Sequence, residues 1–140
     1  MIIFDIDGTV SVVGDRLKCL EKKDWDSFYE RCDEDKINFN VGGLCHNLIH
    51  THHEIVFVTG RRESVRDKTL TWLKGNGLWS DNCELLMRPD GDFRHDTIVK
   101  PELIEPYKND IEMIFEDRNS MVKKWRELGY TCLQVAEGDF

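Results

Sequence analysis

The chain has 140 residues, with 27 acidic and 19 basic side chains and a formal net charge of −8 at pH 7. This length suits one domain with a single core. The acidic balance argues against a general, non-specific nucleic-acid binder, because such proteins need positive charge to displace counterions. No apolar run approaches the roughly 20 residues of a membrane span. The first apolar run ends at Asp5, so we expect no secretory signal. The five cysteines show no CxxC pairing, which favours free thiols in a reducing, cytoplasmic setting.

The first ten residues carry the strongest signal. Ile2-Ile3-Phe4 is a short apolar run typical of a buried parallel strand, and Asp5, Asp7 and Gly8 follow directly. Open parallel sheets place their chemistry at the carboxyl ends of the strands. Two carboxylates this close repel each other unless a cation or a proton lies between them. The pattern predicts a Mg²⁺ site in which one carboxylate attacks and the other moves a proton.

The next stretch, at about 11–40, is charged and irregular. Asp24 can cap a short helix on which Trp25, Phe28 and Tyr29 form one apolar face. A long stretch without strand character directly after a catalytic loop predicts a flap or minimal cap over the site. The alternative is a plain surface excursion.

The remainder alternates between helical and strand patterns. We predict helices over 41–53, 63–74, 97–108 and 119–128, and strands over 54–59, 85–87, 111–115 and 132–136. Strands alternating with helices imply right-handed crossovers. We therefore expect one α/β domain over 1–140, with a doubly wound, Rossmann-like parallel sheet and helices on both faces.

Polar groups follow the predicted strands. The second strand ends in Thr-Gly-Arg at 59–61, where a hydroxyl and exposed backbone amides suit a phosphate oxygen and Arg61 adds a planar fork. Lys100 is a lone amine in a partly apolar segment, suited to neutralising a nucleophile and a phosphoryl group. Glu116 and Asp117 end the fourth strand and offer the hard oxygen ligands that Mg²⁺ prefers.

In this order the residues resemble the four motifs of the haloacid dehalogenase (HAD) superfamily of phosphotransferases. The motif residues are Asp5, Asp7, Gly8, Thr9, Thr59, Lys100, Glu116 and Asp117. A closer likeness is to the 3′-phosphatase domain of phage polynucleotide kinase. That domain has an arginine after the first motif, another after the second-motif glycine, an aspartate four residues before the lysine, and an arginine after the acidic pair. The matching residues are Arg16, Gly60 with Arg61, Asp96 and Arg118.

The end of the chain adds to this likeness, because it reads Gln-Val-Ala-Glu-Gly-Asp-Phe at 134–140, a tail that the phage domain shares apart from one variable position. Two departures stand out. Glu116 replaces the usual aspartate of the fourth motif, which bears on its metal contact. No P-loop pattern Gly-x-x-x-x-Gly-Lys-Ser/Thr is present, so we expect no kinase half.

The resemblance implies a Mg²⁺-dependent phosphomonoester hydrolase that works through an aspartyl-phosphate. Asp5 would be the nucleophile, and Asp7 would protonate the leaving alkoxide and then activate water. Thr59 and Lys100 would hold the phosphoryl group. The metal would be bound by Asp5, the Asp7 backbone carbonyl and Asp117, with Glu116 close by. The expected substrate-binding residues are Arg16, Gly60, Arg61 and Asp96, with Arg61 on the scissile phosphate and Arg16 on a neighbouring backbone phosphate.

The resemblance also implies the substrate, a 3′-phosphate on a nucleic-acid end or a nucleotide, and hence a role in nucleic-acid repair. One alternative is a phosphatase for nucleoside 5′-monophosphates or other small esters, which the acidic charge favours. A second is a phosphate-binding module without chemistry, against which the intact Asp5 and Asp7 argue. We expect no membrane partner.

Two further groups of residues stay open. His46 and His50 have the i, i+4 spacing of a zinc site, with Cys45, His52 and His53 nearby, although a solvated polar face is the simpler interpretation. Trp72, Trp79 and Trp125 fit the core or its rim, with base stacking open for one of them.

Overall fold

The computed structural model describes residues 1–139; Phe140, the last residue of the tail pattern, lies outside the described residues. The strands are β1 (Ile2–Phe4), β2 (Ser11–Val12), β3 (Lys36–Ile37), β4 (Ile55–Arg62), β5 (Cys83–Arg88), β6 (Met113–Arg118) and β7 (Cys132–Gly138). The helices are α1 (Leu17–Glu21), α2 (Trp25–Glu30), α3 (Phe39–His50), α4 (Arg66–Gly75), α5 (Asp96–Ile104) and α6 (Asn119–Glu127). Short 3₁₀ turns span Cys32–Glu34, Glu63–Val65 and Glu105–Tyr107.

The central sheet has five parallel strands in the order β5-β4-β1-β6-β7. Helices α3 and α4 contribute to the core on one face, around Phe4 and Phe57, whereas α5 and α6 contribute to the core on the other, around Ile3 and Trp125. A strand covered on both faces needs a continuous apolar run, which β1 and the first half of β4 supply. The predicted doubly wound α/β sheet is confirmed.

Most predicted elements are confirmed with shifted ends. All five sheet strands lie where the apolar runs predicted them, and β4, β6 and β7 extend beyond their predicted ends. Asp24 caps α2 by accepting a hydrogen bond from the Ser27 backbone N–H. The helix predicted over 97–108 is shorter, because α5 ends at Ile104 and a 3₁₀ turn with Pro106 follows.

Residues 11–38 form a small segment of their own beside the sheet. Its ends pair as the antiparallel strands β2 and β3, with α1 and α2 between them. The indole of Trp72 on α4 donates to the Asp35 carbonyl at 2.8 Å and anchors the end of the segment. The expectation that this segment acts as a flap stays a prediction. None of the helices in residues 1–139 is long and apolar enough to cross a membrane.

Candidate active site

Three carboxylates meet where β1 and β6 end. Asp5 follows β1, and Glu116 and Asp117 lie in the last part of β6, which pairs with β1 so that Phe4 is opposite Phe115. One oxygen from each carboxylate lies within 4.8 Å of the others, and all three side chains are buried. The cleft beside them holds about 20 Å³, the room of roughly one water-sized group. Three of the four carboxylates predicted at two strand ends therefore form one cluster, and the Asp7 carboxylate lies outside it.

Lys100 on α5 is the cation of this cluster. Its Nζ donates to Asp5 Oδ1 at 2.7 Å and to Glu116 Oε2 at 2.8 Å. Burial alone would lower the pKa of Lys100, but the carboxylates of Asp5 and Glu116 outweigh it and raise that pKa above its ordinary value. Lys100 therefore stays charged and contacts Asp5, while the role predicted for it toward a phosphoryl group stays a prediction.

The cluster carries more negative charge than Lys100 balances. Burial, followed by the charge of Glu116, raises the pKa of Asp5 well above its usual range. The same two causes raise the pKa of Asp117 to about 7. A divalent cation would relieve this repulsion, and buried carboxylate oxygens are the hard donors that Mg²⁺ takes. The donor set therefore fits the predicted metal.

Glycines leave the space that Asp117 occupies. Gly8 has φ +91°, and a Cβ there would lie 2.7 Å from Asp117 Cγ and overlap its Oδ2. At Gly138 a Cβ would lie 2.9 Å from the Asp117 carbonyl oxygen, which accepts from Gln134 Nε2 at 3.0 Å. The Gln of the tail pattern therefore contacts the backbone of Asp117, and the Gly packs against both its backbone and its carboxylate.

Asp7 lies beside the cluster, but its carboxylate is held by two arginines. Arg61 Nη2 donates to Asp7 Oδ1 at 2.7 Å, and Arg16 Nη2 donates to the same oxygen. Burial would raise the pKa of Asp7, but Arg61 and then Arg16 outweigh it and hold that pKa well below its ordinary value. Asp7 is therefore an ionised carboxylate.

Asp35, which the sequence did not single out, completes this arrangement. Arg16 Nε donates to Asp35 Oδ1 at 2.7 Å, and the side chains of Arg16 and Asp35 are only 1% and 2% exposed. Asp35 also accepts from the Ser11 hydroxyl at 2.9 Å. It lies in a run of charged residues with no distinguishing pattern. The prediction that Arg16 contacts a substrate phosphate stays untested, and in this structure its partners are Asp7, Asp35 and the Phe28 carbonyl.

The Thr-Gly-Arg run at 59–61 lies next to Asp7. The Arg61 backbone N–H donates to the Thr59 hydroxyl at 3.1 Å, and Arg61 Nη1 donates to Thr69 Oγ1 at 3.2 Å. Thr59 is buried, whereas Gly60 lines the acidic cleft. A Cβ at Gly60 would lie 2.7 Å from Asp96 Oδ1. The run is therefore close to the cluster, and the phosphate contacts predicted for it stay predictions.

Asp96 organises two arginines at the edge of the cleft. Arg118 Nη1 donates to Asp96 Oδ2 at 2.6 Å, and Arg88 Nη2 donates to Oδ1. Burial would raise the pKa of Asp96, but Lys100, Arg118 and Arg88 lower it below its ordinary value. Asp96 therefore contacts guanidinium groups in this structure, and the substrate contact predicted for it stays a prediction.

The zinc alternative has no support in the described residues. Across 1–139, the group of three or more potential ligand side chains close enough to share a metal is the Asp5, Glu116 and Asp117 cluster. Cys45 is fully buried in the core, and His46 Nδ1 lies 2.9 Å from the Gly77 carbonyl oxygen. Trp72 and Trp125 are buried as predicted for core residues.

Comparison with known proteins identifies a family that covers the whole sequence. Residues 1–140 match the family model described as the polynucleotide kinase PNKP phosphatase domain. Among solved structures, a chain of the Pnkp1/Rnl/Hen1 RNA repair complex is 30% identical with a TM-score of 0.85, over 99% of this chain and 43% of that one. A chain of a second Pnkp1/Rnl/Hen1 complex structure is 31% identical with a TM-score of 0.85, over 99% and 46%.

This chain thus spans less than half the length of those two relatives. A protein of unknown function from Bordetella pertussis Tohama I has a TM-score of 0.54 at 9% identity, over 96% of this chain and 97% of that one, and shares the fold alone. The match over the whole sequence means that this chain is a phosphatase of the HAD type and belongs to the polynucleotide kinase PNKP phosphatase domain family.

Proposed function

We propose that this phosphatase removes the 3′-phosphate from nucleic-acid ends, with Mg²⁺ and through an aspartyl-phosphate formed on Asp5. The observation that carries the proposal is the position of Asp5. Its carboxylate lies at the end of the central strand, beside two further carboxylates, and is bonded to Lys100 at 2.7 Å. Phosphoryl transfer depends on positioning and charge neutralisation. This arrangement supplies the positioning, and Lys100 together with a bound cation would supply the neutralisation.

Asp5 performs the first step as nucleophile. One Oδ attacks phosphorus, the bond between phosphorus and the sugar oxygen breaks, and the departing alkoxide takes a proton from Asp7. Lys100 holds one oxygen of Asp5 while the Thr9 hydroxyl donates to the other at 3.1 Å. These two contacts fix the carboxylate at the strand end, where the phosphoryl group would meet it.

Asp7 transfers protons in both steps. In the second step it takes a proton from the water that attacks the phosphoryl group, which releases inorganic phosphate and restores Asp5. The ionised state that Arg61 and Arg16 impose on Asp7 is the state that a base needs. For the first step Asp7 must carry a proton. The proton that it takes from water in the second step of one turnover is the one that it gives to the alkoxide in the first step of the next.

The metal would be held by Asp5 and Asp117, with Glu116 beside them and the Asp7 backbone carbonyl as a further oxygen. The Asp7 carboxylate is engaged by arginines, so its contribution would come from the backbone. A bound Mg²⁺ supplies positive charge to the phosphoryl oxygens as the nucleophile approaches. Without a cation, the buried carboxylates repel an incoming phosphate.

Two observations favour nucleic-acid ends as the substrate. The family is defined on polynucleotide kinase phosphatase domains. The relatives of 30% and 31% identity belong to Pnkp1/Rnl/Hen1 complexes, one of them described as an RNA repair complex. We therefore place RNA ends first among the substrates. We also propose a cytoplasmic location, because the five cysteines show no CxxC pattern and favour free thiols in a reducing setting. The alternative is a phosphatase for 5′-mononucleotides or small esters. The net charge of −8 favours it, because an acidic protein repels a long nucleic acid more than a small ester.

The test compares wild type, Asp5→Asn and the exposed control Asp81→Asn. Each protein is given one oligonucleotide with either a 3′- or a 5′-terminal phosphate, and the matching mononucleotides, with Mg²⁺. We expect phosphate release from the 3′-phosphorylated ends by wild type and Asp81→Asn, and none by folded Asp5→Asn, because only Asp5 can form the covalent intermediate. Faster release from 5′-mononucleotides would favour the alternative, and turnover by Asp5→Asn would remove the covalent mechanism.

A further inference from the structure

A groove of about 240 Å³ adjoins the acidic cleft. The two share Tyr29, Asp96 and Arg118 in their walls, so a ligand held at Asp5 would continue directly into the groove. One side of the groove comes from α2 and the other from the loop between β5 and α5. None of the contacts proposed above for the phosphoryl group lies in this groove.

Exposed aromatic rings line the groove. Phe93 is 79% exposed and Trp25 is 45% exposed, and Trp25 stacks on Tyr29 with ring centroids 6.1 Å apart. The Arg62 guanidinium lies 5.1 Å from the Tyr29 ring centre and 5.6 Å from that of Phe93, so it sits between two rings. Neighbouring aromatic rings with an arginine between them provide the surface on which single-stranded nucleic-acid bases stack.

Arg62 is free to change its partner. Its ion pair with Asp26 is 2.6 Å long, but the Asp26 side chain is 89% exposed. Exposed ion pairs contribute little net free energy because water screens them, so a phosphate can replace the carboxylate with little loss. Contact with two rings nevertheless keeps the guanidinium at the groove.

We propose that this groove, which we call the aromatic groove, binds the 3′-terminal nucleotide of a single-stranded substrate. The terminal base stacks on Phe93 and Trp25, and Arg62 binds the phosphodiester on its 5′ side. The inference rests on the proposed function, because the 3′-phosphate at Asp5 brings the base into the groove. Stacking uses the π-face that every base has, so the groove tolerates any base, and a base paired in a duplex is withheld from it.

The test combines removal of an aromatic ring from the protein with removal of the terminal base from the substrate. Wild type and Phe93→Ala are compared on two 3′-phosphorylated oligonucleotides that differ only in whether the terminal nucleotide carries a base or is abasic. Phe39→Ala is the matched control, because Phe39 is 83% exposed and lies outside the groove. Trp25→Ala is a second variant. Should Trp25→Ala fail to fold, the test still rests on Phe93→Ala, because the exposed Phe93 contributes little to the core.

We expect Phe93→Ala to lower kcat/KM by about 5- to 150-fold on the base-carrying end, the range for losing one base–aromatic stack. On the abasic end, and for Phe39→Ala on both, the change should stay below about twofold, since no stack is lost. If Phe93→Ala lowers kcat/KM equally on the base-carrying and the abasic oligonucleotide, or on neither, the proposed role of the aromatic groove is wrong. The proposed function would still stand. If wild type hydrolyses only other phosphomonoesters, the proposed function fails, and this inference with it.

A binding measurement avoids turnover altogether. Asp5→Asn is mixed with an oligonucleotide that carries 2-aminopurine as the 3′-terminal base next to the 3′-phosphate. Stacking quenches 2-aminopurine, so we expect quenching with Asp5→Asn and a large loss of it in Asp5→Asn with Phe93→Ala. Moving the 2-aminopurine several nucleotides upstream should abolish the quenching. Quenching that survives Phe93→Ala and Trp25→Ala would contradict the stacking.

Discussion

Single atoms decide the geometry around Asp117. Gly8 does two things there: its φ of +91° turns the chain after the first motif, and its missing side chain leaves room for a carboxylate oxygen. Only glycine meets both needs, because a Cβ disfavours this backbone conformation and would overlap Asp117. The glycine after the two aspartates therefore belongs to the acidic cluster as much as to the turn.

Gly8→Ala is expected to lower the free energy of unfolding by about 1–2 kcal/mol from the backbone conformation alone. Displacement of Asp117 should lower phosphatase activity and Mg²⁺ affinity further. Gly14→Ala is the control, because a Cβ there would meet no atom within 4 Å and should leave both properties nearly unchanged. Urea unfolding and phosphate release measure the two effects. Equal behaviour of the two variants would contradict this account of Gly8.

At the scale of elements, Arg16 links the segment of residues 11–38 to the first motif. The segment supplies both Arg16 and Asp35, and the side chains of this ion pair are almost completely shielded from solvent. Arg16 then contacts Asp7, so the segment helps to fix the orientation of the carboxylate that we propose transfers protons. This arrangement changes the expectation from the sequence, in which Arg16 reached outward to a backbone phosphate. The aromatic groove gives that outward position to Arg62.

Arg16→Ala is therefore expected to lower kcat/KM by similar factors on a small phosphate ester and on a 3′-phosphorylated oligonucleotide. Losing a charge-assisted hydrogen bond costs about 1.5–3 kcal/mol, or roughly 10- to 150-fold. The control is Arg31→Ala, which removes a partly exposed arginine of the same segment that pairs only with Glu34 among the ion pairs found. Thermal unfolding checks that Arg16→Ala is folded. A loss confined to the oligonucleotide would instead support the phosphate contact that the sequence predicted.

The large elements could be predicted because their signals are local. Apolar runs in the sequence predict the five sheet strands, and the capping residue Asp24 predicts the start of α2. The two-residue strands β2 and β3 have no such signal, since they exist through pairing across the segment. Helix α1 has only five residues, too few for a helical period to stand out.

The site residues likewise fall into those that could be predicted from the sequence and those that could not. Asp5, Glu116 and Asp117 were predicted together because carboxyl ends of neighbouring parallel strands must meet at one edge. Lys100 lies on helix α5, and it was singled out as a lone amine in a partly apolar segment. Asp35 was missed because its importance comes from a partner 19 residues away and from burial, neither of which a charged run reveals. The exposed rings of the groove were missed for the opposite reason: Trp25 fits an apolar helix face, and the structure leaves part of it in solvent.

For the whole molecule, the charge balance points to a bound cation. The protein is acidic overall, with a net charge of −8, and its buried acidic cluster holds three carboxylates against one lysine. Such a cluster weakens the folded state, because the raised pKa values of Asp5 and Asp117 mean that their charged forms are disfavoured there. A cation that binds only the folded state should therefore stabilise it and permit catalysis together.

We expect EDTA to abolish phosphatase activity and Mg²⁺ to restore it. Mg²⁺ should also raise the Tm, because a ligand at about 100 times its Kd stabilises the folded state by about 2.7 kcal/mol. For a domain of this size that is a shift on the order of 10 °C. These responses should depend on Asp117.

Asp117→Asn should lose both the activation and the rise in Tm with Mg²⁺. Its metal-free Tm at pH 8 should be no lower than that of wild type, since the substitution removes a repelling charge. Asp81→Asn, on the exposed surface, should keep the wild-type responses. Full activity in EDTA, or an undiminished Mg²⁺ shift in Asp117→Asn, would place the metal elsewhere or remove it from the mechanism.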